Sequence, residues 1–458
     1  MANTTDPPSQ SNARAWLIIT GASTSLFCTV GFMNSFGVFE EIYGVDKAHG
    51  GLNVANGNLS TIAWLGAIAV LFFFGISPIA GVLMDIFGPK LLTCTGAIGM
   101  VFSIMMISLC KQFWQFLLCQ GVLLGISMSL VSWPMLALVA KNVTAKNRAA
   151  SMGIVLGGSS LGGIVWPIAI DQMMKNHSLG FPWTMRICAF IMIPLFILPC
   201  AVASAPSAPP VPAPKRPIAT SDSETEVSGR ENRVDHAKEA SEKQAAVTEE
   251  NVDLKEERKK LFKKPAMLLL CLALFFTYFG MFGPFFYITT YAIQKGFSST
   301  LAFYTISIVN GASFFGRVIP GVLADKYGKF NLIILSNLLA GIIAMCWTKV
   351  TSVAGLVIWC AAYGFASGHS LMTAQGILSL QQACAAQVAS RHTMGLAIGT
   401  VVGSTALSAM ANIPISGELV SKHGWLSIAM FSGSTLLLGA ALLILARLSL
   451  NPRIFAIV

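Results

Sequence analysis

The chain is 458 residues long, 54% of them apolar and 11% charged, with a mean hydropathy of +0.69. Soluble domains carry about 25% charged residues, so this chain cannot coat a water-exposed surface of its own size, and a soluble enzyme, a disordered chain and a collagen-like chain are all excluded. Its net charge of +10 comes from bases that flank apolar runs, which points to lipid headgroups rather than nucleic acid as their partner.

In chain order, a polar tail, 1–14, precedes the first apolar run. That run is too long for the apolar region of a cleavable signal. A membrane helix needs about 20 mostly apolar residues, and charge-free runs of this kind fall near 16–39, 60–84, 91–110, 114–139, 149–170 and 187–204. A polar segment occupies 205–264. Six more runs follow near 266–294, 299–316 (extended past one arginine to 324), 330–348, 353–378, 393–417 and 425–446. The prediction is an all-α polytopic membrane protein with twelve transmembrane helices, six in an N-terminal bundle, 15–204, and six in a C-terminal bundle, 265–447, ending in a tail, 448–458.

The central segment opens on a proline-rich stretch, Ala205 to Pro217, and holds twelve bases and twelve acids with almost no large apolar residue. Such a segment cannot bury enough surface to fold alone, so a disordered linker is expected. At its end Arg258, Lys259, Lys260, Lys263 and Lys264 crowd ahead of Pro265. They read either as a topology signal or as a holder of anionic lipid. With the N-terminus inside, the inner segments other than the linker carry ten Lys and Arg and the outer segments six. Both termini are therefore expected on the cytoplasmic side of a multi-pass protein, in the plasma membrane.

No catalytic residue, metal site or cofactor is expected. The ten cysteines lie almost entirely in apolar stretches without a C-x-x-C pair and read as packing residues. No G-x-x-x-x-G-K-[ST] occurs, which excludes an ATP-driven pump.

Gly81-Val82-Leu83-Met84-Asp85-Ile86-Phe87-Gly88 recurs 240 residues later as Gly321-Val322-Leu323-Ala324-Asp325-Lys326-Tyr327-Gly328, with five of eight positions identical. Each copy ends the second helix of a six-helix half. Duplicated halves are how many secondary transporters are built, with the substrate site between them near mid-membrane. The first glycine lets two helices approach, and the aspartate can meet helix N-terminal amides or a base across the cytoplasmic seam. Gly81, Asp85, Gly88, Gly321, Asp325, Lys326 and Gly328 are thus the expected gating residues.

This octet resembles the loop motif of the major facilitator superfamily. The second copy fits fully through Lys329, while in the first Ile86 replaces the base and Pro89-Lys90 follows Gly88. Three further stretches resemble monocarboxylate-transporter-like proteins, in particular their fungal branch. They are Asn147 to Ile154 with Gly158 to Gly163 in the fifth helix, Gly316 to Gly321 in the eighth, and Asn412 to Gly417 in the eleventh. The resemblance implies two pseudo-symmetric bundles and transport of a small organic anion by alternating access, secondary active or facilitative. It does not extend to the family's first-helix entry motif, where Ala13-Arg14-Ala15-Trp16 stands. Animal members carry a first-helix lysine where this chain has Met33 or Asn34, and an aspartate before the eighth-helix arginine where it has Ser313. That pair is implicated in proton coupling in the family, so the coupling ion is left open, with a proton as one candidate.

Arg317 lies eight residues before Asp325, about 12 Å up the helix at 1.5 Å per residue. A charge at such depth costs about 2.5–3.5 kcal/mol on insertion scales. No acid stands in the apolar interior of any run to pair with it, so an anionic substrate is the expected counter-ion. A snorkelling arginine is the alternative. His369 is a candidate for proton handling, and Asn34, Asn310, Tyr363 and Gln375 are candidates to line the cavity, with helix–helix hydrogen bonding explaining them equally well. Gly153, Gly157, Gly158, Gly162 and Gly163 fall partly at the small-xxx-small spacing of close helix packing. Trp133-Pro134 reads as a kink beside an aromatic wall. Expected partners are a small, anionic substrate and membrane lipids, with no nucleic acid. The competing readings are an exporter of a larger amphipathic metabolite, such as a vitamin or secondary product, and a transporter-like nutrient sensor.

Overall fold

The computed structural model describes residues 12–44, 52–54, 59–143, 147–175, 179–203, 256–367, 369–370, 373–389 and 393–452. Among them ten helical stretches, from Ala13–Gly44 to Trp425–Leu450, are long and apolar enough to cross a membrane. Ser299–Tyr327 and Val353–Ser367 fill the eighth and tenth places. Helix therefore occupies all twelve expected positions. Side chains such as Ile98, Ile197 and Ile358 stand exposed on the outside, where a bilayer rather than water is their solvent.

The first span is broken into α1 (Asn12–Cys28), α2 (Val30–Met33) and α3 (Phe36–Gly44). At the first break the Thr29 hydroxyl donates to Ser25 O at 2.8 Å, and such back-bonding bends a helix. The second span is α4 (Leu59–Gly75) and α5 (Ser77–Phe87). Pro78 has no amide to continue the ladder, and the Ser77 hydroxyl takes the freed Phe74 carbonyl at 2.5 Å. The third is α6 (Pro89–Ile107). The fourth is α7 (Phe113–Phe116), a π-helical turn at Leu117–Leu123, and α8 (Leu124–Asn142). The fifth and sixth are α9 (Arg148–Lys175) and α10 (Gly180–Ala203).

In the second half, residues 256–263 form a short helix, α11. The seventh, eighth and ninth spans are α12 (Pro265–Gln294), α13 (Ser299–Tyr327) and α14 (Lys329–Cys346). The tenth begins as α15 (Val353–Ser367). It passes through two strands, β1 (His369–Ser370) and β2 (Thr373–Ala374), paired antiparallel, before α16 (Gln375–Val388). The eleventh is α17 (Met394–Gly403) and α18 (Ala406–His423), and the twelfth is α19 (Trp425–Leu450). Twelve passes return the chain to the side on which it started, called here the terminal face.

Gly88 and Gly328 close α5 and α13 with φ of 76° and 97°. Glycine enters that region without a Cβ penalty, and this accounts for the second invariant glycine of the repeated octet.

Two expectations change. The tenth helix does not run through 353–378. It stops at Ser367, where Ser367, Gly368, His369 and Ser370 follow one another as weak helix formers, and the helix that resumes at Gln375 runs on to Val388, ten residues past the expected end. The linker's end is not disordered, since 256–263 are helical with Leu261 2% exposed; residues 204–255 lie outside the described residues. So do 1–11 and 453–458 of the two tails.

Candidate functional site

Among the described residues, two seams between the halves are lined by glycine. The first joins the second span to the eleventh. Gly395, Gly399 and Gly403 recur every fourth residue along α17. A Cβ on Gly395 would meet Gly81 O and Asp85, one on Gly399 the Ser77 backbone, and one on Gly403 the Pro78 ring. Helices approach backbone to backbone only where such side chains are missing. The Ser77 hydroxyl also reaches across, 2.9 Å from Gly399 O.

Asp85 closes this seam at the terminal face. Its Oδ2 accepts the Leu396 amide at 3.0 Å, the third residue of α17, where the amide has no helical partner. Its Oδ1 accepts from Lys141 Nζ at 2.7 Å. One carboxylate of the N-terminal half thus meets the N-terminus of a helix in the other half and a base of its own half. This is the copy of the octet that lacks the neighbouring base. Gly321 lies within α13 and the side chain of Asp325 lies outside the described residues; Lys326 is exposed, with its ammonium 5.4 Å from the Tyr327 ring.

The second seam joins the fifth span to the eighth. Gly157 faces the Phe314 ring, and Ser160 Oγ stands 3.0 Å from Ser313 Oγ. Within the N-terminal half, Gly158 abuts Ser23 and Gly162 abuts Gly31, so the fifth-helix glycines are packing surfaces on both sides; Gly153 is buried with them.

Asn34 and Asn310 converge on Gly163 from the first and eighth spans, one from each half. Asn34 Nδ2 donates to Ser159 O at 3.4 Å and Asn310 Nδ2 to Gly163 O at 3.5 Å. Both side chains are buried, and both amide oxygens are without a hydrogen-bond partner. Gln381 and Gln382 of α16, which sequence reasoning does not single out, share this property. Gln381 donates to Tyr278 Oη at 3.3 Å with its oxygen unpartnered, and neither amide atom of Gln382 has a partner. Buried polar groups are almost always satisfied, so these unpartnered amide groups stand out among the described residues.

An aromatic wall stands beside them. Trp133 packs 4.8 Å from Phe73 and donates Nε1 to Phe73 O at 2.9 Å. Phe74 then meets Tyr278 of the C-terminal half edge to face at 5.6 Å. Tyr363 is fully buried in the C-terminal half, donating to Met281 O at 2.7 Å and stacked on Trp359. The side chains of Arg317, His369 and Gln375 lie outside the described residues.

Toward the opposite face the halves part around a cleft of about 520 Å³. Glu40 of α3 and Trp64 of α4 form one wall, and Tyr287, Thr290, Pro414 and Glu418 are on the other. Tyr287 Oη donates to Ile413 O at 3.0 Å. Glu418 is exposed and pairs with Lys422 at 2.6 Å. No base among the described residues forms an ion pair with Glu40. Counting charge-free residues ends the first run at 39 and so passes over this acid, which the helix carries into the cleft.

Two helical bundles that touch along glycine-lined seams, and open a cleft between them toward one face, define a two-bundle membrane transporter. The profile of the Major Facilitator Superfamily matches residues 22–381, and the chain belongs to that family. It is a transporter and not an enzyme. It is 39% identical to an MFS-type transporter of Aspergillus fumigatus, over 98% of this chain and 95% of the relative. It is 37% identical to the agnestins efflux protein of Paecilomyces divaricatus, over 98% and 91%. To the aspyridones efflux protein of Emericella nidulans it is 34% identical, over 95% and 78%. Among solved structures, the human organic anion transporter MFSD10 superposes with a TM-score of 0.64 at 15% identity, covering 95% of this chain and 100% of that one. At that identity the likeness shows the fold alone.

Proposed function

We propose that the protein exports an amphipathic metabolite, with the terminal face cytoplasmic, and that the conformation described is closed to the cytoplasm and open to the outside. The observation that carries this reading is the pairing of a seam held by Asp85 at one face with a cleft of about 520 Å³ toward the other. Sealing one side while opening the other is the geometry alternating access requires. The excess of basic residues on the terminal side supports the orientation.

Relatives named as efflux proteins support export, and the cleft supports an amphipathic cargo. Its walls set Trp64, Ile413 and Pro414 beside Glu40, Tyr287 and Thr290, a mixed surface suited to a molecule with an apolar body and a few polar groups. A small carboxylate, the first expectation from sequence, finds less support here. The cleft's described charges are Glu40 and Glu418, with Lys422 already paired to Glu418. The orphaned amides of Asn34 and Asn310 serve as the inner hydrogen-bonding site once the seam opens.

Inside-out vesicles containing the purified protein test this with a panel of amphipathic aromatic polyketides beside lactate and pyruvate. The expected result is accumulation of one or more polyketides and none of the two small acids. Accumulation of lactate alone overturns the reading.

A further inference from the structure

We propose that α11, the short helix ahead of the seventh span, is a seat for anionic lipid headgroups in the leaflet at the terminal face. The proposal does not depend on what is transported. Burial along the helix is one-sided: Leu261 is 2% exposed and Arg258 half-buried, whereas Lys259, Lys260 and Lys263 are exposed. Lys259, Phe262 and Lys263 follow i, i+3, i+4 spacing and so share one face, on which the Phe262 ring is 41% exposed. An aromatic ring between two lysines on an outward helix face is the makeup of an interfacial helix, with the ring at the acyl boundary and the ammonium groups at the phosphates.

The position of the helix is fixed as well as its face. It runs directly into Pro265, the first residue of the seventh span, which sets it at the membrane surface. Lys264 Nζ donates to Val388 O at 2.7 Å. Val388 is the last residue of α16, where carbonyls lack helical partners, so this bond fastens the join to the bundle. Glu257 is half-buried. Glu256 is exposed on the same side as the lysines and lies 3.8 Å from Lys260, so it offsets one base and leaves the face with a net excess of two, Lys259 and Lys263. Among the described residues neither Lys259 nor Lys263 forms an ion pair.

The seat adjoins the closed seam. Thr393, five residues past Val388, is the N-cap of α17, and Asp85 holds the Leu396 amide in that helix's first turn. Lipid drawn to α11 therefore sits beside the element that the gate must release.

The test is native mass spectrometry of the full-length protein in detergent, titrated with palmitoyl-oleoyl phosphatidylserine or phosphatidylcholine. A lysine near an anionic headgroup is worth about fivefold in affinity. Lys259→Gln with Lys263→Gln is thus expected to weaken the tightest phosphatidylserine about 25-fold, leaving phosphatidylcholine unchanged. Lys259→Arg with Lys263→Arg is expected to restore it. Should the glutamine variant lose its fold, the wild type still decides: raising salt from about 0.1 M to about 1 M weakens phosphatidylserine and spares phosphatidylcholine. Wild-type binding of the two lipids with equal strength, or glutamine-variant binding of phosphatidylserine as tight as wild type, overturns the proposal and leaves the basic run a topology signal.

Discussion

Replacing Asp85 by asparagine isolates the charge at the closed seam. Asparagine keeps a carbonyl oxygen for the Leu396 amide but leaves Lys141 without its partner at 2.7 Å. A carboxylate at a helix N-terminus is favoured by about 0.3–2 kcal/mol. Lys141 belongs to the same half as Asp85, so that ion pair is kept in both states and does not enter the difference between them; only the Leu396 contact crosses the seam. With the Asp85 side chain 5% exposed, the upper part of that range applies, about 1–2 kcal/mol, or a shift of about 5- to 30-fold toward the state open at the terminal face. The shift is measurable as a distance between spin labels at Lys90→Cys and Lys326→Cys, two exposed positions on that face in opposite halves. A cysteine-free background is needed, because all ten native thiols are free. Asp85→Asn should enlarge the long-distance population, and Lys141→Gln should add little on top of it, as expected for two members of one contact. A change below about threefold, or strict additivity of the two substitutions, would refute the assignment of Asp85 as the latch.

Gly81→Ala places a Cβ against Gly395 O of the other half, whereas Gly162→Ala places one against Gly31 of the same half. The first should abolish transport with little change in thermal unfolding, and the second should lower stability by about 1–3 kcal/mol in a detergent melt; the reverse pattern would contradict the division of seams from cores. Asn310→Ala removes a fully buried amide whose oxygen has no partner. Its stability should stay within about 1 kcal/mol of wild type while the KM for the exported molecule rises, and a large loss of stability at constant KM would mark it as structural. Arg317→Gln should leave export of an uncharged amphipathic probe intact, measured beside surface expression, and its loss at normal expression would return the arginine to the centre of the mechanism.

The spans are legible in the sequence because a bilayer asks for little beyond length and apolarity. Where a helix ends inside an apolar stretch is not legible by that criterion, which is why α15 stops at Ser367 within a run that carries no charge. The same criterion ends the first run at Phe39 and hides Glu40, although the helix continues to Gly44. Asp85 is visible through its repeat, and its chemistry follows from a carboxylate beside a glycine at a helix end. Its partners are not visible, because Lys141 and Leu396 are separated from it by 56 and 311 positions, with no periodicity linking them. Gln381 and Gln382 escape notice for a further reason. They lie in a stretch that reads as a loop, and only the fold shows that their amides are sealed from water.

The strip of Gly395, Gly399 and Gly403 against Ser77, Pro78 and Gly81 has a mechanical consequence. Interlocking side chains must change rotamer before two surfaces slide, so a toothed contact resists motion until many torsions move at once. A contact of bare backbone on backbone has no teeth, and the halves can tilt along it as smooth bodies. The work of opening then concentrates at the few polar contacts along the rim, chiefly those of Asp85. Such a bearing makes rocking rate sensitive to single charges at its edge and tolerant of changes in the apolar bulk of each half.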